Sequence, residues 1–224
     1  MIDELVFRII FSTLWVVFIA TLTGVRYSAW RVSAKVSAGR TLADRTARPE
    51  GRAHLVVLSL CAPFWFGGII CYLFVPGWIA FLSIPLPDWV RLVMAGIAAG
   101  SLAFTVWGYR TLGRNWVHAL EPSTFQHREG EQLITSGPYR YVRNPVYLGA
   151  FALIIAFAVE AANWLILLPS LVIVAVISLE VGNEEAMLLD RFGDEYRDYM
   201  RRTPRFIPRI GRRRSGQREQ PPTP

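Results

Sequence analysis

Between Gly137 and Gly149 the chain reads GPYRYVRNPVYLG, which gathers Tyr139, Tyr141 and Tyr147 with Arg140 and Arg143 in a short stretch. Tyrosine faces cover a flat base or a cation, while guanidinium groups and helix N-terminal amides hold a carboxylate. S-adenosylmethionine carries an adenine, a sulfonium and a carboxylate, so these residue types suit it. The same types also serve as an aromatic belt with lipid-phosphate arginines at a membrane surface. Asn144 and Pro145 are in addition the cap and first-turn residues expected where a helix begins.

A second group is acidic. Glu184 and Glu185 follow a long apolar stretch, and Glu180 stands four residues before Glu184 and shares its helical face. Continued at helical spacing, Glu185, Leu189, Phe192, Tyr196 and Tyr199 form one stripe, whereas Arg191, Asp194, Arg197 and Asp198 lie off it. A carboxylate pair at a helix end is either a solvated feature or, at a membrane edge, a functional group that needs a cation, water or a ligand.

Positioning these groups requires helices that cross a bilayer. At 53% hydrophobic and 18% charged over 224 residues, the chain is too apolar for an ordinary soluble domain. Apolar runs near the ~20 residues that a bilayer demands fall at about Leu5 to Val25, Leu55 to Val75 and Trp89 to Tyr109. The stretch Val146 to Val181 is too long for one span and fits two helices turning at Ala161 to Asn163, where Glu160 and Asn163 break the apolar run. The expected fold is therefore all-α and polytopic, with about five transmembrane helices, a C-terminal helical hairpin and a cytoplasmic ligand-binding segment. Asp3 and Glu4 replace the basic start of a signal peptide, so the first helix reads as an anchor.

The loop from Arg26 to Arg52 holds seven Lys or Arg against two acids, and the segments Arg110 to Arg143 and after Val181 are also Arg-rich. The opposite turns, Pro76 to Asp88 and Glu160 to Asn163, contain none. This asymmetry predicts an outside N-terminus and a cytoplasmic C-terminus. The net charge of +7 is then explained by anionic lipid at the cytoplasmic face, without nucleic acid. A high Arg-to-Lys ratio leans towards a bacterial inner membrane. Residues 1–210 read as one membrane domain and 211–224 as a basic, disordered tail. Cys61 and Cys71 read as packing residues within the second span, and the scattered His54, His118 and His127 offer no metal site.

The order of elements from Leu112 to Pro208 resembles the C-terminal core of the isoprenylcysteine carboxyl methyltransferase family: a Leu-Ile-Thr lead-in, GPY, RNPxYxG, a hairpin, EE, FGxEYxxY and a final FIP. Gly113 to Trp116 also looks family-like. The resemblance implies an integral membrane enzyme that moves a methyl group from S-adenosylmethionine to a lipophilic or small acceptor. It implies cofactor contacts at Glu131, Gln132, Leu133, Ile134, Tyr139, Asn144, Pro145, Val146, Tyr147 and Glu184. Arg143 would contact the donor carboxylate or support the pocket. Glu180 would stand near the acceptor, and Glu180 or Glu184 would take a proton from an amine or thiol.

Three positions depart from the family pattern. Glu131 and Asn144 occupy places where eukaryotic members often carry histidine, and Glu180 replaces an expected acceptor-side arginine. A glutamate repels a carboxylate, so a neutral or cationic acceptor is expected over a prenylcysteine acid. Two other classes share part of the pattern. Membrane sterol and steroid reductases that use NADPH have a related Arg-x-Pro-x-Tyr helix start and YxxY tail, and a non-enzymatic lipid-binding protein would need only the aromatic and arginine-rich edge. GPY and the Glu184-Glu185 pair favour methyl transfer. The sequence leaves the oligomeric state open.

Overall fold

The structure, a computed structural model, describes residues 2–33, 50–112 and 132–208. The centre of the first basic loop, the Gly113 to Trp116 element, Glu131 and the tail from Gly211 lie outside them.

Five α-helices follow in order: α1 Glu4–Ser33, α2 Glu50–Phe74, α3 Asp88–Leu112, α4 Pro145–Glu160 and α5 Trp164–Arg202. Two short 3-10 helices, Pro76–Leu82 and Gly137–Arg140, precede α3 and α4. Among the described residues four helices are long and apolar enough to cross a bilayer, and α4 is a shorter apolar helix of 16 residues. The expected hairpin is present: α4 ends at Glu160, α5 starts at Trp164, and the chain reverses between them.

Asn163 shapes that reversal. Its side chain accepts a hydrogen bond from the Leu165 amide at 2.9 Å and donates through Nδ2 to the Ile79 carbonyl at 2.9 Å, while the Ile84 amide donates to the Ala162 carbonyl at 2.7 Å. One side chain therefore caps α5 and ties the turn to the loop before α3.

Lipid tails are as apolar as leucine, so helices in a bilayer associate through close packing and polar contacts rather than by escaping water. Leu60, Phe64, Ile70 and Leu179 accordingly face outwards, exposed. Inside, Phe11, Trp65, Tyr72, Leu153, Phe157 and Ile166 form the core. Phe11 and Phe157 approach to 5.0 Å between ring centroids, Trp15 meets Trp65 edge-on at 5.4 Å, and Trp65 Nε1 donates to Ser170 Oγ at 2.8 Å. Cys61 and Cys71 are unbridged and pack against this core.

A polar clamp closes the end of the bundle near the hairpin turn. Arg91 of α3 is buried, donates to both carboxylate oxygens of Glu4 at 2.7 and 2.9 Å, to the Glu160 carbonyl at 2.7 Å and to the Tyr72 hydroxyl oxygen at 3.0 Å. Its guanidinium carbon lies 3.8 Å from the centroid of the Phe7 ring. Four helices thus meet on one side chain.

Helices α3 and α4 pack closely because Gly149 has no side chain. A Cβ there would collide with Thr105 Oγ1 and come within 3.1 Å of the Ser101 carbonyl oxygen. Gly149→Ala is expected to push the two helices apart and destabilise the fold by about 1–3 kcal/mol. Gly96→Ala, on the same α3 with nothing within 4 Å of the added methyl, serves as the neutral comparison. Thermal unfolding in detergent checks both: Gly149→Ala lowers Tm and Gly96→Ala does not.

Candidate active site

The tyrosine- and arginine-rich segment lies between α3 and α4. Gly137–Arg140 forms a single 3-10 turn with Pro138 at its start, and it buries Pro138 and Tyr139. Val142 follows with no exposure at all. The Tyr139 carbonyl accepts a 2.6 Å hydrogen bond from the Tyr199 hydroxyl of α5. Burial, reinforced by the negative charge of Glu184, holds the Tyr139 phenol well above the usual tyrosine range, so it stays neutral. Tyr109, Tyr147 and Tyr199 also act on its ionisation, which marks a cluster of tyrosines around Tyr139.

At the start of α4 the side chain of Asn144 departs from simple helix capping. Asn144 occupies the cap position, but its side chain makes no capping bond. Its Nδ2 donates to Glu185 Oε1 at 2.7 Å, a bond strengthened by the charge of a buried carboxylate. Pro145 opens α4 and is buried, and Val146 and Tyr147 are half-buried.

Glu185, only 3% exposed, gathers three side chains. Arg143 donates to it through Nε at 2.9 Å and Nη2 at 3.1 Å, and Arg205 through Nε at 3.0 Å and Nη2 at 2.6 Å. Arg143 Nη1 reaches the carbonyls of Met200 and Thr203 at 3.1 and 2.7 Å. Burial alone would pull the Arg143 pKa down, but the bond to Glu185 outweighs it and keeps the guanidinium charged. All three nitrogens of Arg143 therefore engage the protein, a geometry that favours pocket support over contact with a ligand carboxylate.

Glu184 points elsewhere. Neighbouring residues on a helix are turned by about 100° from one another. Glu184 Oε2 accepts from the Tyr147 hydroxyl at 2.7 Å. Tyr139, Tyr147 and Glu184 thus come together, with Asn144 on the adjoining Glu185. One turn up α5, half-buried Glu180 accepts from Asn183 Nδ2 at 3.4 Å. Gln132, Leu133 and Ile134 precede Gly137 without regular secondary structure, Gln132 exposed and the other two half-buried.

Helix α5 spans 39 residues, about 58 Å at 1.5 Å per residue, roughly twice a ~30 Å hydrocarbon core. Its far half, from about Glu184 on, must leave the apolar zone. That half bends at Gly193 (φ 52°, ψ −121°), which brings Tyr196 and Tyr199 under the segment 139–144. Of the residues anticipated on the Glu185 stripe, Tyr196 and Tyr199 are buried and Leu189 and Phe192 half-buried. Arg205 was not singled out from the sequence. Its signal is a cation set between Pro204 and Phe206 just past a helix end.

Fold and site define a polytopic, all-α integral membrane protein whose polar groups converge at one end of its C-terminal hairpin. Residues 90–195 match the family model described as phospholipid methyltransferase. A protein-S-isoprenylcysteine O-methyltransferase of Schizosaccharomyces pombe is 39% identical over 79 residues, covering 35% of this chain and 34% of that protein. The nickel-cobalt-cadmium resistance protein NccN of Alcaligenes xylosoxydans xylosoxydans is 32% identical over 127 residues, 57% of this chain and 55% of that one. Methanethiol S-methyltransferase 1 of Bradyrhizobium diazoefficiens is 39% identical over 70 residues, 31% and 24% of the two chains. The solved structure of the eukaryotic intramembrane Ras methyltransferase aligns with 90% of this chain and 68% of its own, at a TM-score of 0.53 and 21% identity, a likeness of fold. The chain thus resembles membrane methyltransferases in sequence over part of its length, and the Ras methyltransferase in fold. The aligned stretches span between about a quarter and just over half of these three relatives' lengths.

The bend at Gly193 rests on backbone alone, since nothing lies within 4 Å of a Cβ built there. Gly193→Ala forces an L side chain into the left-handed half of φ space and is expected to cost about 1–3 kcal/mol. Thermal unfolding checks the cost, and weaker packing of Tyr196 and Tyr199 should show as altered near-ultraviolet circular dichroism.

Proposed function

We propose that the protein transfers a methyl group from S-adenosylmethionine to a lipophilic or small acceptor that is neutral or cationic. The observation that carries this reading is the meeting of Tyr139, Tyr147 and Glu184 at the start of α4, with the Tyr147 hydroxyl bonded to the Glu184 carboxylate at 2.7 Å. It lies within the segment that matches the methyltransferase family model.

The donor set suits the ligand. Aromatic faces beside a carboxylate attract a cation, and a neutral phenol offers a hydrogen bond without adding repulsion. Tyr139, Tyr147 and Glu184 would hold the donor with Asn144, Pro145 and Val146, and Gln132 to Ile134 would line the approach; Glu131 lies outside the described residues. When bound, S-adenosylmethionine supplies an electrophilic methyl group on a positively charged sulfur. The protein aligns the acceptor with that methyl and excludes water, which supplies much of the acceleration without a covalent enzyme intermediate. Arg143 supports the pocket. Glu180 faces the acceptor side, and Glu180 or Glu184 accepts the proton that an amine or thiol releases.

The basic loops face the cytoplasm and anionic lipid, with the N-terminus outside, in a bacterial inner membrane. Residues 1–210 act as one domain followed by a basic tail.

Calorimetric titration of the purified protein tests the donor. Saturable binding of S-adenosylmethionine and not NADPH, weakened at least tenfold in Tyr139→Ala and Glu184→Ala variants that still fold, is the expected outcome. NADPH binding alone refutes it. The acceptor is tested separately: Glu180→Ala should raise the KM for an amine acceptor while leaving the donor Kd unchanged. Efficient methylation of a prenylcysteine acid, unaltered by Glu180→Ala, refutes the acceptor assignment.

A further inference from the structure

The two adjacent acids at the exit of α5 hold the same helix start from two directions. Glu184 takes Tyr147, and Glu185 takes Asn144, three residues earlier on the same side of α4. Glu185 also collects Arg143 from the connecting segment and Arg205 from the chain beyond α5. That chain then crosses the start of α4: the Arg143 amide donates to the Pro204 carbonyl at 2.8 Å and the Asn144 amide to the Arg205 carbonyl at 3.2 Å. Phe206 finishes the crossing edge-on to Phe151 of α4 at 5.6 Å.

We infer that Glu185 is the positioning residue of the donor pocket, and that the segment Thr203 to Pro208, latched to it through Arg205, is a working part of that pocket. The inference rests on the donor reading above. Glu185 touches no ligand in this scheme. It acts by fixing Asn144 and the register of Tyr147 against Glu184.

The geometry separates this role from general stabilisation. Glu185 is 3% exposed on its side chain, whereas Arg205 is 44% exposed, so the latch has one buried and one open partner. The open partner can be changed without emptying the core. A residue that only supported folding would alter the amount of competent protein; one that sets pocket geometry alters the affinity of each competent molecule.

Four purified proteins decide it: the wild type, Arg205→Gln, Glu185→Gln and, as the conservative rescue, Arg205→Lys. By calorimetry, Arg205→Gln should weaken S-adenosylmethionine binding about tenfold and Glu185→Gln more, at unchanged stoichiometry, since small misplacements of positioning groups have effects of up to about a hundredfold. Arg205→Lys should fall between Arg205→Gln and wild type, because lysine keeps the charge and loses the fork. Without any ligand, hydrogen exchange at the Arg143 and Asn144 amides should accelerate in Arg205→Gln. If Arg205→Gln keeps the wild-type Kd, or only the stoichiometry falls, the inference is overturned while the donor reading stands. If the wild type shows no saturable binding, both fall together. Should Glu185→Gln fail to fold, Arg205→Gln and the amide exchange still give the answer.

Discussion

A carboxylate can be buried at a membrane edge only if cations and hydrogen-bond donors come with it, and Glu185 imposes that condition on everything nearby. Its two guanidinium partners and one amide arrive from two separate stretches of chain, Arg143-Asn144 before α4 and Arg205 beyond α5. Desolvating such a group is expensive, and removing one partner of a buried pair typically costs about 3–5 kcal/mol. The arrangement is therefore close to all-or-none. The start of α4, the exit of α5 and the crossing segment after it take up one relative placement, and Tyr147 and Glu184 meet as a consequence.

The far end of the bundle uses the same physics with the signs exchanged. There the buried group is a cation, Arg91, and its acceptors come from α1, α2 and α4. Between these polar clamps the helices touch through aromatic edges and a close glycine contact, with apolar side chains turned outwards to lipid. Bilayer helices gain little from hydrophobic association, so specific end contacts and close fits must set their mutual positions. The hairpin of α4 and α5 links the two ends directly: its turn sits at the Arg91 clamp and its open end carries Glu184 and Glu185.

The helices were legible because a bilayer demands long apolar runs, and the reversal at Ala161 to Asn163 was legible because Glu160 and Asn163 interrupt one. The kinship of Tyr139, Asn144, Tyr147 and Glu184 was legible from the order of motifs, and the structure brings them together. What the sequence concealed is the partnership of Glu185 with Arg205, since twenty residues and a bend at Gly193 separate them and no periodic pattern connects them. The side-chain bond of Asn144 was hidden for a similar reason. A cap residue before Pro145 looks satisfied locally, and only the fold shows that a distant carboxylate claims it.

Helix α4 is short. Its 16 residues extend about 24 Å, some 6 Å less than the hydrocarbon core that neighbouring helices cross. Tyr147 near its start nevertheless bonds Glu184, twenty residues along α5 from Trp164, so the two helices of the hairpin reach the same level over unequal lengths. For the proposed reaction a short α4 would bring the acceptor's meeting point closer to the lipid tails, where the membrane itself would be its solvent. A lipophilic molecule would reach such a site by partitioning, at a local concentration set by the leaflet.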